Sequence, residues 1–324
     1  MTKAIRIHQT GGPEVLRWEE VEVAKPGAGQ VRVRHTAVGV NFIDIYHRSG
    51  LYKLPQLPAI IGREAAGVVE EVGPGVTSLQ PGDRVTYVDP TGAYAEARLC
   101  PADRLVRLPK AIDDVTVAAM MLKGLTAQYL LRRTYRVQPG ETLLVHAAAG
   151  GVGLILCQWA KHLGAKVIGT VSTDEKAALA RAHGCDHPII YSREHFVERV
   201  KELTKGAGVS VAYDSVGRDT FSGSLDCLRP MGMLVLYGQS SGTVAPLDPS
   251  VLMAKGSVFL TRPSLVNYTA SREDLVNSAN ELFEVVARGA VKIEVRQKYP
   301  LRDAAAAHRD LEARKTTGSS VLLP

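Results

Sequence analysis

The stretch Leu143-Leu144-Val145-His146, followed by Ala147-Ala148-Ala149-Gly150-Gly151-Val152-Gly153 and then Leu154-Ile155-Leu156-Cys157-Gln158-Trp159-Ala160, constrains this chain more than any other. It reads as a short apolar strand, a turn of small residues, and an amphipathic helix. Strand, tight glycine turn and helix form the opening of a βαβ unit, and this is the geometry that binds dinucleotides. Gly150 is expected to permit the sharp turn and the close approach of the backbone to a pyrophosphate. Gly153 is expected to let the helix pack closely. The helix N-terminus, reached through Ala148, Gly151 and Val152, offers unpaired N–H groups and a partial positive charge. Ala147 stands where the first glycine of the G-x-G-x-x-G pattern belongs.

The surrounding residues extend that unit. Apolar runs at 142–146, 166–170, 209–213 and 233–237 alternate with helical patterns at 151–163, 173–183, 196–203 and 219–227. Such alternation predicts a parallel sheet covered by helices on both faces. A long amphipathic helix is expected at 272–288, another at 303–314, and a last strand at 319–323. Before residue 125 the grammar differs. Short strands at 30–36, 66–72 and 83–88 are separated by Gly-Pro or Pro-Gly pairs, which suggests a small β-barrel or sandwich.

Bulk properties exclude several classes. No run approaches the roughly 18 apolar residues of a membrane span. The start, MTKAIRIHQTGG, lacks the apolar core of a secretory signal. A cytoplasmic location is therefore expected. Net charge is +6, but the basic residues are scattered and no aromatic-interleaved RNA motif occurs, so nucleic acid is not the expected partner. The four cysteines, Cys100, Cys157, Cys185 and Cys227, form no C-x-x-C, which argues against a disulfide framework or a zinc knuckle. Cys157 falls on the helix after the glycine turn and reads as a packing residue.

The choice of dinucleotide follows from the next strand end. NAD enzymes place an acid there, about 20 residues on, to hold the ribose 2′-hydroxyl. Here Val171 or Ser172 takes that place. Ser172, Thr173 and Lys176 suit a 2′-phosphate, so NADPH is the expected cofactor. Asp174 and Glu175 open the following helix, where acids favour the dipole.

At this point the chain resembles the zeta-crystallin-like quinone oxidoreductase branch of the medium-chain dehydrogenases/reductases. The resemblance rests on residues 140–161 together with GGPEVL (11–16), VNFIDIYHRSGLY (40–52), GREAAGVVEEVGPGV (62–76), GDRV (82–85), KGLTA (123–127), YDSVGRDT (213–220) and TRPSL (261–265). It runs from near residue 10 to the C-terminus and is especially close to bacterial NADPH:quinone reductases. It implies an α/β chain with a GroES-like β-barrel catalytic domain at 1–124, a doubly wound Rossmann domain at 125–264, and a segment at 265–324 that returns to the first domain. It also implies a substrate pocket around Asn41, Tyr46 and Tyr52, with Asn41 reaching the cofactor as well. Thr126 matches the family residue near the nicotinamide, and Tyr191, Ser215, Gly217, Arg218 and Tyr237 match cofactor-lining positions.

Zinc alcohol dehydrogenases share this outline, but they carry a cysteine ligand where Asn41 falls and a histidine where Arg63 falls. Neither Asn nor Arg is a competent zinc ligand at neutral pH, so no metal is expected. Arg63 is expected to contact Glu64 or a neighbouring loop. Without a Lewis acid the substrate must itself be electrophilic, which points to a quinone. Asn41 is then expected to donate an amide hydrogen bond, and the two tyrosines to stack on or stabilise the developing anion. Two alternatives stand beside this reading: an NADPH-dependent 2-alkenal or enone reductase, and an NADPH-binding RNA-binding or structural protein with little catalysis. The resemblance implies a homodimer, with strands at 233–237 and 257–261 placed to pair across a two-fold axis.

Overall fold

The computed structural model describes residues 1–89 and 91–324. Six parallel strands organise one part of it. From edge to edge they are His187–Ile190, Lys166–Val171, Thr142–Val145, Val209–Asp214, Leu228–Leu236 and Phe259–Thr261. Leu144, Ile168, Val209, Ala212 and Leu234 are buried between the sheet and its helices. These strands read as continuous apolar runs because both faces are covered. The order reverses between Thr142–Val145 and Val209–Asp214: the chain winds outward from the first of them and then returns to its other side.

The expected pairing of 233–237 across a two-fold axis is not available. Leu228–Leu236 lies inside the sheet, with Val209–Asp214 on one side and Phe259–Thr261 on the other, so both its hydrogen-bonding edges are used. Of the two strands expected to pair in this way, Phe259–Thr261 keeps an outer edge.

Antiparallel strands organise the other part. The 11-residue strand Gln30–Val40 is its hub, pairing with Glu64–Val72, Ala97–Pro101 and Ser319–Leu323. It runs past the alternating stretch at 30–36 because residues 37–40 are buried on both faces and no longer alternate. Arg84–Val88 continues the sheet beyond Glu64–Val72, and Val295–Pro300 lies parallel to Ser319–Leu323. A three-stranded sheet of Arg17–Val21, Thr2–Ile7 and Ala59–Ile60 completes this part. Its core includes Ile5, Val33, Val38, Val85, Tyr87 and Tyr94.

The chain separates into two compact units. One comprises 1–123, 270–283 and 293–324; the other comprises 124–269 and 284–292. Among the described residues no helix is long and apolar enough to cross a membrane.

Candidate functional site

In the antiparallel unit the strand Gln30–Val40 delivers the chain directly to Asn41, which caps the helix Phe42–Ser49. Asn41 is buried and held twice. Its backbone N–H donates to Asp44 Oδ2 at 2.9 Å, and its Nδ2 donates to Glu64 Oε1 at 2.7 Å. One amide N–H is therefore committed to a carboxylate. Glu64 is fully buried, and it also accepts from Lys123 Nζ at 3.0 Å and from the Leu122 N–H at 2.6 Å. Gly39 makes this approach possible, since a Cβ there would lie 2.2 Å from Glu64 Oε1 and 2.3 Å from the Ala118 carbonyl.

Tyr46 and Tyr52 come together, with ring centroids 5.1 Å apart and edge to face. The Tyr52 N–H donates to the Tyr46 carbonyl at 3.0 Å, and His47 packs edge-on against Tyr52. Of the two partners expected for Arg63, the neighbouring loop is the one found: its guanidinium pairs with Asp89, while Glu64 serves Asn41 and Lys123. Burial lowers the Arg63 pKa, and Asp44 and Tyr52 oppose that shift electrostatically.

In the parallel unit the expected cofactor residues gather at the carboxyl ends of the strands, on both sides of the reversal. This is where open α/β sheets take ligands. The glycine turn follows Thr142–Val145, Ser172 follows Lys166–Val171, and Tyr191 follows His187–Ile190. Ser215, Gly217 and Arg218 follow Val209–Asp214, and Tyr237 follows Leu228–Leu236. Thr126 is buried on the helix Asp114–Tyr129.

The turn is built differently from its expected form. Gly150 has an ordinary φ of −80°, whereas Ala147 sits at φ +52°, so the alanine carries the left-handed conformation. Gly153 is required by space, because a Cβ there would fall 2.3 Å from the Ala147 carbonyl. The first intrahelical bond runs from the Leu154 N–H to the Gly150 carbonyl at 2.9 Å. The N–H groups of Gly151, Val152 and Gly153 precede it and have no partner within the helix. A diphosphate fits this cradle.

Beneath the turn lies a buried hydrogen-bonded line. Ser224 Oγ donates to Asp214 Oδ2 at 2.8 Å, so His146 Nε2–H donates to Ser224 at 2.9 Å, and His146 Nδ1 accepts from Thr170 Oγ1 at 2.9 Å. Burial lowers the His146 pKa, in keeping with a neutral ring. Asp214 Oδ1 also accepts the backbone N–H groups of Val216 and Gly217, which shapes the loop holding Ser215, Gly217 and Arg218. The Arg218 side chain lies along Asp219, with Nε donating to Oδ1 at 3.1 Å.

At the Ser172 end, Thr173 caps the helix Asp174–Ala182 by accepting the Lys176 N–H at 3.3 Å. Asp174 pairs with Arg193 at 2.5 Å, and the Ser192 hydroxyl donates to the Ser172 carbonyl. Arg193 thus brings to the start of this helix a cation that the sequence reading passed over. Also passed over were Asp44, Glu64, Lys123, His146 and Asp214. Lys123 carries a readable signal, a single charge inside an otherwise small or apolar run (MMLKGLTA), and Glu64 carries a weaker one, a charge that opens such a run (EAAGVV). Among the described residues no group of three or more His, Cys, Asp or Glu side chains is arranged to hold a metal ion.

The pattern of the alcohol dehydrogenase GroES-like domain matches residues 27–135, and that of zinc-binding dehydrogenases matches residues 151–281. Over its full length the chain is 53% identical to a quinone oxidoreductase of Pseudomonas aeruginosa, covering 100% of both. It is 52% identical to a 2-haloacrylate reductase of a Burkholderia species, covering 100% of this chain and 99% of that protein. The crystal structure of Escherichia coli quinone oxidoreductase complexed with NADPH superposes with a TM-score of 0.98 at 51% identity, covering 99% of this chain and 100% of that one. With a matching fold and such identity from end to end, the chain belongs to the quinone oxidoreductase family of the medium-chain dehydrogenases/reductases.

Proposed function

We propose that this protein is a zinc-independent NADPH:quinone oxidoreductase. The observation that carries the reading is the gathering of the glycine turn, Ser172, Tyr191, Ser215 and Tyr237 at the carboxyl ends of the parallel strands, astride the reversal. NADPH, when bound, supplies the hydride. Ala148, Gly150, Gly151, Val152 and Gly153 hold its diphosphate. Ser172, Thr173, Lys176 and Arg193 receive the 2′-phosphate, with no acid at the position that would hold a free ribose hydroxyl. Thr126, Tyr191, Ser215, Gly217, Arg218 and Tyr237 line the rest of the cofactor.

Asn41, Tyr46 and Tyr52 orient the electrophile. Asn41 is fixed by Glu64 and Asp44, and its remaining amide hydrogen serves the developing oxyanion. The tyrosines supply aromatic faces and phenolic O–H groups. A homodimer fits the free edge of Phe259–Thr261 and the exposed Phe259 beside it. A cytoplasmic site of action goes with this chemistry.

A second reading, reduction of an activated alkene such as a 2-enone, draws on the similarity to the 2-haloacrylate reductase. Steady-state oxidation of NADPH with 1,4-benzoquinone, 9,10-phenanthrenequinone and a 2-enone decides between them. Quinone turnover that exceeds enone turnover and survives EDTA is the expected result. Loss of activity on chelation, restored by zinc, overturns the metal-free reading. Retention on RNA without NADPH oxidation overturns the enzymatic one.

A further inference from the structure

A second buried line of hydrogen bonds begins at Asn41 and ends on the last helix, Ala304–Glu312, and its direction is fixed by chemistry. Arg48 Nη1 lies 3.1 Å from His308 Nδ1. A guanidinium only donates, so Nδ1 accepts and the ring carries its proton on Nε2. Nε2–H therefore donates to Tyr94 Oη at 2.9 Å, and the Tyr94 hydroxyl donates to Asp44 Oδ2 at 3.1 Å. The same Oδ2 accepts the Asn41 N–H. Arg48, Asp44, Tyr94 and His308 are all buried, and the far end is tied down by the paired contacts of Arg48 with Glu312, at 3.1 and 2.6 Å. The protonation states agree with this direction. Burial and Arg48 pull the His308 pKa down to about 3, so its ring stays neutral.

We propose that His308 is a positioning residue for Asn41, acting through Tyr94 and Asp44. This rests on the reading that Asn41 orients the electrophile. Asn41 is clamped between two carboxyl groups, Glu64 on its side chain and Asp44 on its backbone. Glu64 is set by Lys123 and the Leu122 N–H within its own surroundings. Asp44 is set from a distance, because its Oδ1 has no hydrogen-bond partner and Oδ2 carries both contacts. Turning Asp44 therefore turns the entry of the helix Phe42–Ser49, and with it Asn41. The line does not carry protons to solvent. It terminates in a guanidinium that cannot give one up, so each link acts only by geometry.

The test uses the intact enzyme and five variants. His308→Leu removes both hydrogen bonds at the ring, and Tyr94→Phe breaks the next link while keeping the packing. His308→Gln retains an amide donor and a carbonyl acceptor. The fourth variant combines Tyr94→Phe with His308→Leu. With 1,4-benzoquinone at saturating NADPH, each of the first two is expected to lower kcat by about fivefold to tenfold, as a misplaced orienting group does. The NADPH dissociation constant, read by fluorescence quenching, should stay within about twofold. His308→Gln should recover most of the loss. The double variant should be no worse than the poorer single, because both act through one line.

Unchanged kcat in folded Tyr94→Phe overturns the proposal, as do losses that multiply in the double variant. Rescue of Tyr94→Phe by raised concentrations of a proton-donating buffer also overturns it, since that marks a proton path. If His308→Leu does not fold, Tyr94→Phe carries the test alone. Asn41→Ala separates the two layers of the argument. Full turnover in Asn41→Ala sinks the site assignment itself, whereas loss there with normal Tyr94→Phe sinks only the positioning role.

Discussion

At the scale of single residues, the glycine turn shows where a sequence pattern and the backbone part company. The pattern marks Gly150 as the bending residue, yet the left-handed φ belongs to Ala147. A non-glycine residue there costs about 1–2 kcal/mol. Ala147→Gly should remove that strain, partly offset by a more flexible unfolded chain, and raise Tm by about 1–2 °C in a thermal melt. Gly153→Ala should do the reverse. With a Cβ at 2.3 Å from the Ala147 carbonyl the turn must move, and NADPH affinity should fall by about tenfold or more in a titration. Asp44 offers a third residue-scale test. Burial raises its pKa from 3.8 to about 7, so the fold favours its neutral form. Its contribution to stability is complete below pH 3.8 and is lost as pH rises toward 7. Asp44→Asn should therefore gain on the wild type across that interval, by up to about 4 kcal/mol in denaturant unfolding, and no further above it. A difference that does not change with pH would refute this. None of these three features was legible from the chain alone. A φ angle, a Cβ clearance and a buried carboxyl each depend on what other segments bring alongside.

At the scale of elements, the strand ends matter most. The strands at 142–145, 166–171 and 209–214 were legible because burial on both faces leaves continuous apolar runs. His187–Ile190 was not, since four residues beginning His-Pro give too little pattern. The end of Lys166–Val171 was read for its lack of an acid, and Arg193, in the turn after the neighbouring strand, reaches it through Asp174. Sequence spacing cannot show that contact, because it joins separate elements. Lys176→Ala should raise the apparent constant for NADPH about tenfold while leaving that for NADH nearly unchanged, since a 2′-phosphate contact is charge-assisted. Equal effects on the two cofactors in steady-state kinetics would remove the assignment. At the outer edge of the sheet, Phe259→Lys should shift the protein toward monomer in light scattering, because a charge on an open edge opposes strand pairing. An unchanged mass would show that this edge is not the interface.

At the scale of the whole molecule, the histidines whose pKa burial lowers are unevenly distributed: His35, His47 and His308 lie in one unit and His146 in the other. His35 and His308 lie in the unit containing residues 1–123 and 293–324, and burial lowers their pKa values from 6.5 to about 4 and about 3. Their neutral forms stabilise the fold above pH 6.5, and that stabilisation is lost as pH falls toward 4 and 3. The two tryptophans fall one in each unit, Trp18 in this one and Trp159 in the other. On acidification of single-tryptophan variants, the Trp18 fluorescence transition should come at the higher pH. The reverse order would show that other groups dominate. The pairing of Ser319–Leu323 with Gln30–Val40 has a consequence of another kind. The strand that leads to Asn41 acquires this neighbour only after residues 319–323 have left the ribosome. The parallel sheet, continuous from 142 to 261, can form while synthesis is still under way. Asn41 and its surroundings thus settle later than the parallel sheet, and a product cut short before residue 319 would keep the glycine turn while the strand that leads to Asn41 stayed open on one side.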